Sequence, residues 1–194
     1  MSPRNRILGY IRHATASRPR LAHPGRFDAR FLVADDRPPV ERFAEMFSAA
    51  GGEVEHLASD EHAARWLADF AGAFDCASVG ATVPSRLRPR IPSAAPDLAT
   101  LAVSLASGAI AETGSLVLDA RDGRRTQILA PTHVVFVRER DVHPTAVQAL
   151  VRLGSDLPSA VGLHSGPSKS ADIGQILVRG VHGPARIVAA IIAS

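Results

Sequence analysis

The sequence predicts an α/β layered domain, and three patterns carry that prediction. Helix-period and strand-period segments alternate at short spacing from Val40 to Val79. Short apolar runs bounded by Gly or Pro recur from Leu101 to Ile192. Hydrophobic residues make up 46% of the 194 positions but aromatics only 5%, so the core is one of Ala, Val, Leu and Ile. The length fits one α/β domain over residues 40–194, with residues 1–39 as an N-terminal helix and a surface-draped connector.

Taken in order, Met1–Ala16 forms a short helix with Ile7, Leu8 and Ile11 on one side. Ser17–Pro39 is a Pro- and Arg-rich connector, long for a loop inside a compact domain. Val40, Phe43, Ala44 and Phe47 recur at i, i+3, i+4 and i+7, predicting a helix that Pro39 opens and Gly51-Gly52 close. Glu53–Leu57 is a strand. Ser59-Asp60 starts a second helix, with Ala63, Trp66, Leu67 and Phe70 on one face and Gly72 at its end. Asp75–Val79 is the next strand. Gly80–Asp97 is a proline-punctuated loop in which Arg86, Arg88 and Arg90 alternate, an anion-facing or a solvated surface. Leu116–Leu118, Ile128–Leu129, Val134–Val137 and Val161–Leu163 read as strands, Thr145–Leu153 as a helix, and Arg186–Ile192 as a buried closing strand.

Composition excludes several classes of function. Cys76 is the only cysteine, so the chain has neither an internal disulfide nor a cysteine-ligated iron–sulfur or zinc site. None of the eight histidines falls in a zinc-binding spacing, and no metal site is expected. With so few aromatics there is no stacking platform for nucleic acid. The net charge is only +3, and the arginines of the first twenty residues read as a solvated N-terminus. No apolar run is long enough to span a bilayer and no signal-peptide core is present, which places the chain in the cytoplasm.

Two stretches carry candidate chemistry. Ala160–Pro184 reads as strand, Gly-rich turn (Ser165–Ser168), helical turn (Lys169–Gln175) and apolar run, an arrangement that binds anions at a helix N-terminus. Lys169 is the only lysine among 22 basic residues, and it would bring a flexible ammonium to that turn. The plain alternative is an exposed lysine beside a turn. In Ala111–Ser115, Glu112 lies in a tight Gly-containing turn ahead of a strand. Partial desolvation would suit it to acid–base or nucleophilic work; backbone N–H groups would make it a turn holder. His164 and His182 flank the first stretch as scaffold or ligand histidines.

On Ala109–Leu118 (AIAETGSLVL), Pro131-Thr132-His133 and Gly166–Pro184 (GPSKSADIGQILVRGVHGP), the chain resembles the LUD domain family, with lactate-utilization protein C as the nearest branch. The resemblance implies an open, mostly parallel sheet with helices on both faces, similar to ribose-phosphate isomerase and CoA-transferase folds. It implies carbon metabolism: an accessory, non-redox subunit of an oxidoreductase complex that takes L-lactate to pyruvate. Such a subunit binds a small anionic metabolite and docks on cluster-bearing partners, so the iron–sulfur clusters sit on those partners and this chain holds no cofactor. Carried over by position, Glu112 and Lys169 are the candidate catalytic residues. Thr113, Gly114, Ser115, Gly166, Ser168, Asp172, His182 and Gly183 are the candidate ligand-binding residues, joined by Ser170, whose hydroxyl beside the turn could cap a helix or donate to a ligand oxygen, and Glu112, Lys169 and Asp172 are expected together at the C-terminal ends of the strands. Gly174 stands where relatives often carry a glutamate. Two other functions stay open: a free-standing transferase or isomerase-like enzyme acting on a phosphorylated or CoA-linked acid through Glu112, and a scaffold without a ligand.

Overall fold

A computed structural model of the chain describes residues 2–17, 36–154, 157–171 and 177–193. The chain divides into two compact units, Met1–Asp36 and Arg37–Ser194. In the first, helix α1 (Pro3–Thr15) begins where the Ser2 side chain accepts the Asn5 N–H and Pro3 occupies the first turn. No residue of α1 is buried. Most of the expected connector lies outside the described residues.

The second unit runs α2 (Pro39–Ala49), β1 (Glu53–Leu57), α3 (Asp60–Ala71), β2 (Ala77–Val79), β3 (Leu101–Leu105), β4 (Gly108–Ile110), β5 (Ser115–Asp119), α4 (Arg124–Leu129), β6 (Thr132–Arg138), β7 (Val142–His143), α5 (Ala146–Arg152), β8 (Val161–His164), β9 (Lys169–Ala171), β10 (Leu177–Arg179) and β11 (Arg186–Ile192). Five strands form a central sheet in the order β1-β11-β6-β3-β2, and every neighbouring pair is parallel. Parallel pairing demands crossovers and cover on both faces. On one face α3 and the Val83–Leu87 loop bury Ala63, Leu67 and Leu87 against Leu101, Val103, Val134 and Phe136. On the other, Phe43 and Phe47 of α2 meet Val135, Val137, Ile187 and Ile191.

That second face carries a layer the sequence pattern does not announce. A four-stranded sheet, β7-β4-β5-β8, packs beside α2 through Ala109, Leu116 and Leu118. Its outer face holds Ile110 and Val117 against Ala149 of α5. Strands β9 and β10 form a separate antiparallel hairpin.

Two expectations change. Ile128 and Leu129 are the last turn of α4, not a strand: a two-residue apolar run has no period, Gly123 at φ +106° starts the helix, and Ala130 is extended ahead of Pro131. Lys169 opens strand β9 rather than a helix. The backbone groups there are taken by partners across the turn, with the Ser168 N–H donating to the Pro184 carbonyl at 2.8 Å and the Gly180 N–H to the Ser168 carbonyl at 2.9 Å. Among the described residues no helix begins at this turn; positions 172–176 of the expected helical turn lie outside them.

Candidate functional site

The two motif turns meet on α2. Gly114 has φ +57°, and a Cβ there would stand 2.4 Å from the Phe47 backbone nitrogen. Gly166 has φ +96°, and its Cβ would stand 2.9 Å from the Ala50 carbonyl oxygen. Both positions therefore need glycine, for conformation and for close approach. A chain of hydroxyls ties the turns together: Thr113 Oγ1 to Ser115 Oγ at 2.7 Å, and Ser115 Oγ to Ser165 Oγ at 2.6 Å.

The charged members of the motifs are engaged by backbone. Glu112 Oε1 accepts the Ala146 N–H at 2.6 Å, filling an otherwise free donor at the start of α5. Glu112→Ala is expected to lower stability by about 1 kcal/mol, the ordinary cost of a lost cap, read as a shift in urea midpoint. Lys169 Nζ donates to the carbonyl of Ala50, the C-cap residue of α2, where a cation also meets the negative end of the helix dipole. Because Lys169 is exposed, Lys169→Met is expected to cost less than about 1 kcal/mol in the same assay.

Ser168 is clasped by the following loop: its Oγ accepts the His182 N–H at 3.3 Å, and Gly183 lies against its Cβ. Ser170 sits in β9 opposite Val178. Asp172 and Gly174 lie outside the described residues. Ala50 stands just before β1, and Pro184 just before β11. The Gly166–Lys169 turn thus lies at the N-terminal ends of the parallel strands, opposite to the edge the sequence argument chose. Glu112 and Lys169 serve different helix ends, α5 and α2.

A cavity lies elsewhere, at the start of the same stretch. Along β8 side chains alternate, so Ser165 and His164 face opposite ways. His164 turns inward over Gly162, whose Cβ position is 2.8 Å from its Nε2. Its ring stands edge-on, 6.5 Å between centroids and 80° between planes, to His133 on β6. His133 is wholly buried, and among the described residues neither ring nitrogen has a hydrogen-bond partner. Burial strips hydration from its imidazolium and, with His164 beside it, pushes its pKa down to about 3. Burial lowers the His164 pKa as well. Both rings are therefore neutral at pH 7.

His164 also lines a cavity of about 200 Å³ between α4 and β8, together with Arg124, Gln127 and Gly162. Gln127 Nε2 donates to the Asp119 carbonyl at 2.7 Å, which leaves its amide oxygen for a ligand. A guanidinium, an amide and a neutral imidazole around one small space suit a small carboxylic acid with a neighbouring hydroxyl or keto group. His133 and His164 were visible in the sequence as motif and flanking histidines. Arg124 and Gln127 were not, since both fall just ahead of Ile128–Leu129, which reads as a strand, in a stretch with no pattern of its own. Among the described residues no group of three or more His, Cys, Asp or Glu side chains is placed to hold a metal, and no helix is long and apolar enough to cross a membrane.

Comparison with known proteins follows the same residues. Residues 97–192 match the LUD domain. Lactate utilization protein C 1 of Bacillus mycoides is 36% identical over 96 residues, 45% of this chain and 41% of that protein. Lactate utilization protein C of Bacillus pumilus is 39% identical over 87 residues, 41% of this chain and 36% of that protein. The match spans about two-fifths of the length of these curated relatives. The crystal structure of a DUF162 family protein from Deinococcus radiodurans superposes with a TM-score of 0.59 at 20% identity, over 79% of this chain and 96% of that one. That likeness shows a shared fold.

Proposed function

Through residues 97–192 this chain belongs to the LUD domain family, and on that premise we propose that it is an accessory, non-redox component of a lactate utilization system. It holds a small organic acid in the cavity between α4 and β8, with Arg124 on the carboxylate and His164 on the adjacent oxygen. The single observation that supports this reading is the coincidence of that cavity with β8, a strand of the span that matches the LUD domain. The motif turns hold the strand in place: Ser165 is bonded to Ser115, and Gly166 seats on α2. Glu112, with Oε1 on the Ala146 amide, is a scaffold residue in this reading, and so is Lys169.

The redox step belongs to a cluster-bearing partner protein, because a lone cysteine cannot hold an iron–sulfur cluster. A chromosomal deletion complemented by the wild-type chain or by Arg124→Gln tests the proposal. Wild type restores growth on L-lactate as sole carbon source, Arg124→Gln does not, and an affinity-tagged wild-type chain co-purifies an iron–sulfur protein. Normal growth of the deletion strain on L-lactate would overturn it.

A further inference from the structure

The alternating arginines after β2 converge with an arginine of α3. Arg65, Arg86, Arg88 and Arg90 line one cavity of about 200 Å³, floored by Ala64 and Ala68. This pocket is on the α3 face of the parallel sheet, whereas the α4–β8 cavity belongs to the layers beyond its other face.

The loop that presents these arginines is fixed. Val83 and Leu87 are buried in the core, and a single 3-10 turn spans Ser85–Leu87. Pro84, Pro89 and Pro92 restrict φ along it. Arg88 itself is extended, at φ −99° and ψ 132°, and its side chain lines the pocket with those of Arg86 and Arg90. The Arg88 Nε–H donates to the Val83 carbonyl at 3.1 Å, which anchors the stem and leaves the terminal amino groups for a ligand. Arg86 pairs with Asp60 at 2.8 Å, and Asp60 is also held by Arg138 at 2.6 Å. Its carboxyl lies below the usual range, first because of the Arg138 hydrogen bond. Glu61 and Asp69 lie one turn before and one turn after Arg65 on α3. Four guanidiniums line the pocket, and Asp60, the carboxylate paired with Arg86, is shared with Arg138.

We infer that this pocket binds an oligoanion with two or more adjacent phosphates, recognised by the forked guanidiniums of Arg65, Arg86, Arg88 and Arg90. Guanidinium forks match phosphate oxygens bidentately. A single phosphate leaves most of the pocket's charge unanswered, whereas linked phosphates span several forks at once. No aromatic ring lines the pocket, so the phosphate chain is read and an attached base is not. The rigid loop keeps the ordering cost of binding low.

Calorimetric titration of the full chain with inorganic pyrophosphate and tripolyphosphate, against inorganic phosphate, tests the inference. Pyrophosphate is expected to bind at least about tenfold more tightly than phosphate, a difference of about 1.4 kcal/mol. Its affinity falls as salt rises. Arg65→Gln/Arg90→Gln is expected to lose at least about tenfold in pyrophosphate affinity, the worth of one charge-assisted hydrogen bond or more. Both side chains are exposed, so the fold survives their loss. Arg125→Gln, which breaks a surface pair with Asp97, leaves binding unchanged. Equal affinity for pyrophosphate and phosphate would overturn the inference, as would unchanged pyrophosphate binding in the double variant.

Discussion

Gly114→Ala is expected to destabilise the domain by about 2–4 kcal/mol, from two costs that add. A left-handed residue with a side chain costs about 1 kcal/mol. The new Cβ would also stand 2.4 Å from the Phe47 nitrogen and 2.6 Å from the Met46 carbonyl carbon. Both are backbone atoms of α2 and cannot swing aside, so the turn or the helix must move at an overpacking cost of about 1–3 kcal/mol. Phe43 and Phe47 pin α2 to the parallel sheet, so the shift spreads into the core. Denaturant unfolding measures the change. A variant within about 0.5 kcal/mol of wild type, the range of ordinary surface substitutions, would show that this turn does not rest on α2.

The second large effect is on acid stability and comes from His133. The folded ring stays neutral down to about pH 3. In the unfolded chain it takes a proton near its ordinary value of 6.5. The unfolded state therefore binds more protons between those limits, and stability falls as pH drops through the window. The slope is about 1.4 kcal/mol per pH unit, so about 2 kcal/mol is lost by about pH 5. His164, lowered in the same direction, adds to the slope. Asp60 and Glu53 are held low by arginine and lose their contribution only at more acid pH, below their ordinary carboxylate values. His133→Leu removes two buried, unpartnered nitrogens and a titration. It is expected to stay within about 1 kcal/mol of wild type at pH about 7.5 while losing most of the fall above pH about 5. Parallel pH–stability curves for the two proteins would contradict this.

Much of the fold was legible because its signals are local. The i, i+3, i+4, i+7 run from Val40 to Phe47 became α2. Ser59 caps α3 by accepting the His62 N–H, and Gly72 ends that helix. Arg186–Ile192 is buried at six of seven positions and pairs with β1 and β6. What was illegible depends on pairing. In Leu101–Leu118 the sequence shows interruptions at Gly108 and Gly114, but the break between β3 and β4 falls at Ala106-Ser107 and Gly108 is itself the first residue of β4; β4 and β7 have only three and two residues. The second sheet was therefore invisible. The Gly166–Lys169 turn was expected to feed a helix, but Lys169–Ala171 pairs with Leu177–Arg179, a partner no local pattern names. Placing the motif turns at the N-terminal edge required the order of the parallel strands. The His133–His164 contact joins two strands from different sheets, so single-residue reading raised both histidines without joining them.

The most direct test is a titration of the full chain with L-lactate followed through its histidine ring 15N signals at pH about 7.5, where both rings are neutral. His164 is expected to shift saturably, with a smaller response at His133, and Arg124→Gln to abolish both shifts. Lactate-induced changes confined to the Gly166–Lys169 turn, or none at His164 at saturating ligand, would contradict the assignment of the α4–β8 cavity as the acid-binding site.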